Sequence, residues 1–203
     1  MPNWKTHLEI AKHLNNKLNY NIEEYNMFLL GNILPDINNC YIVENISKKL
    51  KHEDTHFSDL QGHITFYNKY KDEIKNNPII LGYFVHLYTD YFWNNDFYEK
   101  VKSTSLNEIS PEQKRIMKQK DFKIYNDKHE FEGLNFNDLE KVLDKIKLIK
   151  EVDITKEDLI KVINFLDNLK VDTSLKLNFY NMEQLDKLLN ETVDNVIDFL
   201  SIN

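Results

Sequence analysis

Residues 78–93, PIILGYFVHLYTDYFW, read as one helix without a polar side, and the rest of the chain is most simply arranged around it. Pro78 suits a first helical turn, where its missing N–H goes unused. Ile79, Ile80, Leu81, Phe84, Val85, Leu87 and Phe92 point all round the cylinder, as in a helix buried on every face. Two ionisable residues interrupt this pattern. His86 and Asp90 lie four apart and therefore project from the same face. An ionised carboxylate left unpaired in a core costs several kcal/mol or gives up its charge, and no Lys or Arg occurs in residues 76–99 to pair with it. Gly82, one turn before His86, lets a neighbouring backbone come close. The pair is either a His–Asp hydrogen bond inside the core or part of a cation site.

Outward from this helix, helical periodicity covers most of the chain. Residues 4–19 place His7, Ala11, Leu14 and Leu18 on one stripe. A second helix is expected from Asn21 through Met27 to Leu30, ended by Pro35. From Asp36 to about His56 the pattern is irregular, with Cys40 to Val43 as the one candidate extended piece, and helical spacing resumes from Gln61 to Lys75. Downstream, capping-box patterns mark helix starts at Ser110 with Gln113, Asn137 with Glu140 and Thr155 with Asp158, and a last helix is expected over Met182 to Leu200. Residues 137–200 read as amphipathic helices with a packing role. Four Gly and four Pro in 203 residues are too few for an all-β chain, and no Gly-, Pro- or Ser-rich linker divides it. The expectation is an all-α, single-domain multi-helix bundle over residues 1–203 with a buried central helix.

The formal net charge of −7 is spread evenly, −3 in residues 1–100 and −4 in the remainder, with no evident basic face, which argues against nucleic-acid binding by charge. Cys40 is the single cysteine, so no intramolecular disulfide forms. The opening residues MPNWKTHLEIAKHL lack the apolar core of a signal peptide, no run reaches membrane-spanning length, and no helix has a basic polar face for lying on a membrane. A cytoplasmic location without stable membrane insertion is expected. Lys outnumbers Arg 25 to 1 and Asn occurs 26 times, a bias attributed to an AT-rich bacterial genome rather than to function.

Further candidate ligands lie upstream of the central helix. His7 sits on the buried stripe of the first helix, Asp36 follows Pro35 at a helix end, and His56 precedes Phe57. Each has an ordinary structural explanation: a satisfied core histidine, an Asx turn or cap, a helix start. Together with His86 and Asp90 they supply the nitrogen and carboxylate ligands that zinc, or a pair of divalent ions, accepts. Residues 52–56, HEDTH, also satisfy the H-E-x-x-H pattern of zinc peptidases, with Glu53 as base if the segment is helical. Lys51 and Asp54 are unusual company for such a buried helix, no familiar third ligand follows, and this reading leaves Asp90 unexplained. The aromatic run Tyr83, Phe84, Tyr88, Tyr91, Phe92 and Trp93 reads mainly as core, with some members free to wall a pocket.

THLEIA at 6–11, FLLGNILPDI at 28–37, HF at 56–57 and GYFVHLYTDYFW at 82–93 occur in an order that resembles the bacterial zinc-dependent phospholipases C and the related S1/P1-type nucleases. The resemblance covers roughly the first half of the chain. It implies that Asp36, His56, His86 and Asp90 surround one zinc ion, that Asp90 bridges to a second ion also held by His7, and that Asp36 is the general base. The implied chemistry is phosphodiester hydrolysis of a lipid or small-molecule phosphoester, with metal-activated water as the nucleophile. In the secreted phospholipases a Trp at the mature N-terminus is itself a ligand, whereas three residues precede Trp4 here. The family's further ligands are also missing at their usual places: this chain has Trp93, Asn94 and Asp96, and then His129 with Gly133 four residues on. One or two ions are therefore expected, with Asp96, His129 or Glu132 as candidates to complete the site. Alternative readings are an H-E-x-x-H zinc metallopeptidase and a noncatalytic helical metal-binding module.

Overall fold

The computed structural model describes residues 2–57, 61–104, 108–131, 133–168 and 176–202. Among them are ten helices and no strand: α1 Trp4–Leu18, α2 Ile22–Gly31, α3 Leu34–Ile37, α4 His52–His56, α5 Gly62–Ile74, α6 Pro78–Lys102, α7 Pro111–Asp127, α8 Leu139–Ile146, α9 Lys156–Asp167 and α10 Met182–Ile202. The all-α expectation holds. Helix α6, 25 residues long, is the axis of the fold and packs against α1, α2, α3, α5 and α10. Its first thirteen residues are buried except at Tyr88, so the apolar reading of 78–93 identified the central element.

The tightest crossing is between α2 and α6, where Gly31 faces Gly82. A Cβ added at Gly82 would sit 2.3 Å from the Phe28 carbonyl oxygen, and one at Gly31 would sit 2.2 Å from that of Ile79. Only glycine allows this backbone approach, which brings the loop after α2 against the face of α6 that carries His86.

Helix starts follow local chemistry. Asn21, Ser110 and Thr155 each close a capping box on α2, α7 and α9. The cap of α8 differs from expectation: Asp138, not Asn137, accepts from the backbone N–H groups of Glu140 and Lys141, because a carboxylate at that place satisfies two donors together. Pro35 also differs. It does not end the second helix but lies in the first turn of α3, where proline is tolerated, after α2 has already stopped at Gly31. Cys40 to Val43 are not extended; they form a turn in which Cys40 has a φ of 61°.

Helices α8, α9 and α10 bury Val142, Leu143 and Ile146, then Leu159, Val162 and Leu166, then Leu185, Leu188, Leu189, Val193 and Val196. These apolar stripes match the packing role read from their periodicity. No helix of the described residues is long and apolar enough to cross a membrane.

Candidate metal centre

The five candidate ligands come from four helices. His7 projects from α1, Asp36 from α3, His56 from the last residue of α4, and His86 and Asp90 from adjacent turns of α6. All five are buried, His7 and His86 completely. The structure brings them together. The Nε2 atoms of His56 and His86 are 3.0 Å apart, and the His7 and His86 rings stack at 3.9 Å. Asp90 lies between the groups: Oδ1 is 3.4 Å from His7 Nε2, and Oδ2 is 3.6 Å from the Nε2 atoms of both His56 and His86. Asp36 Oδ1 is 3.5 Å from His56 Nε2 and 4.0 Å from His86 Nε2. Two overlapping triads result, His7–His86–Asp90 and Asp36–His56–His86.

These spacings suit a shared cation better than mutual hydrogen bonds. Two atoms each about 2.0–2.1 Å from a tetrahedral zinc lie roughly 3.3 Å apart. The carboxylate–imidazole gaps are close to that value, and neither Asp90 oxygen, nor Asp36 Oδ1, nor either ring nitrogen of His7 has a hydrogen-bond partner. Buried polar atoms are seldom left so. Another buried carboxylate in this fold is treated quite differently. Asp121 accepts from the backbone N–H groups of Asn178, Phe179 and Tyr180 and from the Asn178 side chain.

The imidazole tautomers point the same way. His86 Nδ1 faces the Asn32 carbonyl oxygen at 2.7 Å, an acceptor only, so Nδ1 carries the proton and Nε2 a lone pair. His56 Nδ1 lies 2.8 Å from Thr55 Oγ1, whose own hydrogen faces acceptors on Asn39 and His52, so here too the proton is on Nδ1. Two lone pairs thus face each other across 3.0 Å, an arrangement that a cation between them relieves. Burial, reinforced by His7, pushes the His86 pKa down to about 3 against the pull of Asp36 and Asp90, keeping the ring neutral. Burial opposes ionisation of Asp36 and Asp90, yet both carboxylates are held below the usual range within this ring of imidazoles. Neutral imidazole and ionised carboxylate are the forms a metal needs.

The centre opens into a cleft of about 820 Å³. Asp36, His56 and Asp90 form part of its lining; Trp4, Tyr41, Phe57, Leu87, Tyr91 and Tyr98 supply apolar and aromatic surface, and α7 adds Arg115, Lys118 and Lys123. These three cations escaped the sequence reading, which found no basic face. A signal was present: Arg115 is the only arginine in the chain, and 115, 118 and 123 share one side of a helix.

The remaining candidates do not join the centre. Asp96 accepts from the Tyr180 hydroxyl at 2.8 Å and pairs with Lys100. His129 packs edge-on against Tyr125 just beyond α7. Glu132 lies outside the described residues. HEDTH is indeed a short helix, but His56, its last residue, turns toward Asp36 and His86, while Glu53 is exposed and His52 belongs to neither triad. The two imidazoles of the motif stack on each other at 4.0 Å instead of converging.

Buried histidine and aspartate triads at the floor of a cleft in an all-helical fold define a class of helical proteins able to hold a metal ion. A family model described as zinc-dependent phospholipase C matches residues 6–135, and the chain belongs to this family. The match spans all five ligand positions. Neither the curated proteins nor the solved structures include a significant match to the chain. The cofactor of the family is zinc, and the buried groups described above have the chemistry to bind it.

Proposed function

We propose that this protein is a zinc-dependent phosphodiester hydrolase of the phospholipase C type, with His7, Asp36, His56, His86 and Asp90 holding one or two ions. The observation that most supports this reading is the set of buried nitrogen and oxygen atoms without hydrogen-bond partners, spaced like zinc ligands, beside an open cleft. Zinc bound there supplies Lewis acidity to a phosphoryl oxygen and lowers the pKa of water enough for in-line attack at neutral pH. Asp36 stays ionised and reaches the cleft, so it is the candidate general base that accepts the proton of the attacking water. The aromatic walls exclude bulk solvent and receive the nonpolar part of a substrate.

Zinc content by elemental analysis, followed by hydrolysis of bis-p-nitrophenyl phosphate, phosphatidylcholine and casein, tests the reading. Zinc uptake with phosphodiester cleavage is expected, together with loss of both in Asp90→Asn and their retention in Glu53→Gln. A protein that takes up no zinc, or that takes it up and cleaves only casein, overturns it.

A further inference from the structure

The cleft differs in charge from the molecule that contains it. The chain carries a formal charge of −7, yet the only carboxylates lining the cleft, among the described residues, are the candidate ligands Asp36 and Asp90. Facing them from α7 are Arg115, Lys118 and Lys123. Two of these cations already have carboxylate neighbours on their own helix: Arg115 pairs with Glu112, and Lys123 with Asp127.

Lys118 does not. It is only 8% exposed, and its Nζ donates to Asn94 Oδ1 at 2.7 Å and lies over the Tyr98 ring at 4.9 Å and the Phe97 ring at 5.5 Å. Among the described residues no carboxylate lies within ion-pair distance of it. A buried ammonium held by an amide and two rings lacks the counter-charge that normally repays its desolvation. Burial accordingly lowers its pKa, with Asp90 pulling the other way. Its place is specific. Asn94 is one turn beyond Asp90 on α6, a backbone rise of about 6 Å, and Asp90, Asn94 and Lys118 line the same cleft.

We propose that the cleft takes phosphodiesters carrying a second phosphate group on one ester arm, and that Lys118 binds that second phosphate; this rests on the phosphodiester-hydrolase reading above. The scissile phosphate lies at the zinc centre, and the second anion completes the charge pairing that Lys118 lacks. The recognised chemistry is the same whether the second phosphate belongs to a lipid headgroup or to a soluble diester.

Zinc-loaded protein is assayed on phosphatidylcholine, phosphatidylglycerol and phosphatidylinositol 4-phosphate in micelles of a nonionic detergent, and on soluble glycerophosphoinositol 4-phosphate. The expected kcat/KM is at least about tenfold higher on the phosphorylated lipid than on the other two, in line with one strong charge-assisted contact. Lys118→Gln should bring that ratio close to one and Lys118→Arg should restore it. The soluble diester separates the sources: retained preference assigns recognition to the phosphate itself, and its loss assigns it to the lipid-borne headgroup. A binding readout is independent of turnover. By calorimetry, myo-inositol 1,4-bisphosphate should bind at least about tenfold tighter than myo-inositol 1-phosphate, and Lys118→Gln should abolish the difference. Lys118→Met should unfold at the same or a higher temperature, because it removes an unpaired buried charge. Equal rates on phosphatidylglycerol and the phosphorylated lipid, or a Lys118→Gln variant that keeps the preference, overturn the proposal. A Lys118→Met protein that is destabilised and loses all substrates alike assigns the residue to the fold and also overturns it. Absence of any diester hydrolysis would instead overturn the hydrolase reading, and the binding ratio would still decide the role of Lys118.

Discussion

The clearest contrast in the molecule is between two buried aspartates. Asp121 is surrounded by N–H donors and fastens residues 178–180 to α7, whereas both oxygens of Asp90 face imidazoles without a hydrogen bond. The first arrangement is complete in itself; the second leaves both oxygens without a donor, as a cation site would. What orients the ligands is the layer behind them. The Asn32 carbonyl fixes the His86 ring through Nδ1, and the Thr55 hydroxyl does the same for His56. The backbone carbonyl cannot be altered by substitution, but Thr55 can. Thr55→Val preserves shape and removes the acceptor for His56 Nδ1–H, so zinc affinity should fall by about tenfold or more, within the range seen when such outer partners are lost. Competition with a chromogenic chelator measures it, and unchanged affinity would show that His56 is held by packing alone.

The helices are placed by close contacts and by buried polar clamps. At the α2–α6 crossing, Gly82→Ala would drive a methyl into the Phe28 carbonyl and the Gly31 backbone. Because backbone cannot yield as a flexible side chain does, a loss of about 3 kcal/mol is expected, measured by urea denaturation. The long connection from α3 to α4 is clamped from the opposite side. Asn38 bonds to Lys48 and to both backbone groups of Asp153, and Asp158 accepts from Ser47 and Thr155 through both backbone and hydroxyl groups. These clamps carry the chain to α4 and so set the position of His56. Burial would raise the Asp158 pKa, but the bonds from Ser47 and Thr155 outweigh it and hold the carboxyl below its ordinary value. The unfolded chain therefore binds the proton more readily, so this stabilisation is present above about pH 3.9 and is lost as the pH falls further. Asp158→Ala should cost roughly 2 kcal/mol at neutral pH, with the gap from wild type narrowing below about pH 3.9. A gap independent of pH would show that packing, not the ionised carboxylate, is what matters.

Five candidate ligands on four helices would make a metal site there a joint of the bundle. An ion that binds only the folded state stabilises it by about 4 kcal/mol when present at a thousandfold excess over its Kd. For a chain of this length that corresponds to a Tm difference of roughly 10 °C between zinc-loaded and chelator-treated protein. Calorimetry with and without chelator measures it; an identical Tm would mean that the ligands are held together without the ion. The same assembly brings α7 to the cleft lined by α3, α4 and α6, so an acidic protein presents cations at the opening next to its candidate centre. Charge averaged over the sequence gave no hint of this, because a local field depends on which side chains converge.

Much of the architecture could be read directly from residue order. The unbroken apolar character of 78–93 marked the central helix, and periodicity located the amphipathic helices around it, because both are properties of neighbours in sequence. His86 and Asp90 stood out for the same reason, since ionisable groups in an apolar helix need a partner. Their companions were recognised from residue patterns, but convergence of His7, Asp36 and His56 on them is a matter of helix packing. Asp138 rather than Asn137 as the cap, Pro35 in the first turn of α3 and the separate engagements of Asp96 and His129 all depended on which donors and acceptors came within reach. So did Lys118: its lack of a counter-ion is a fact about every element around it, and no single stretch of sequence contains that information.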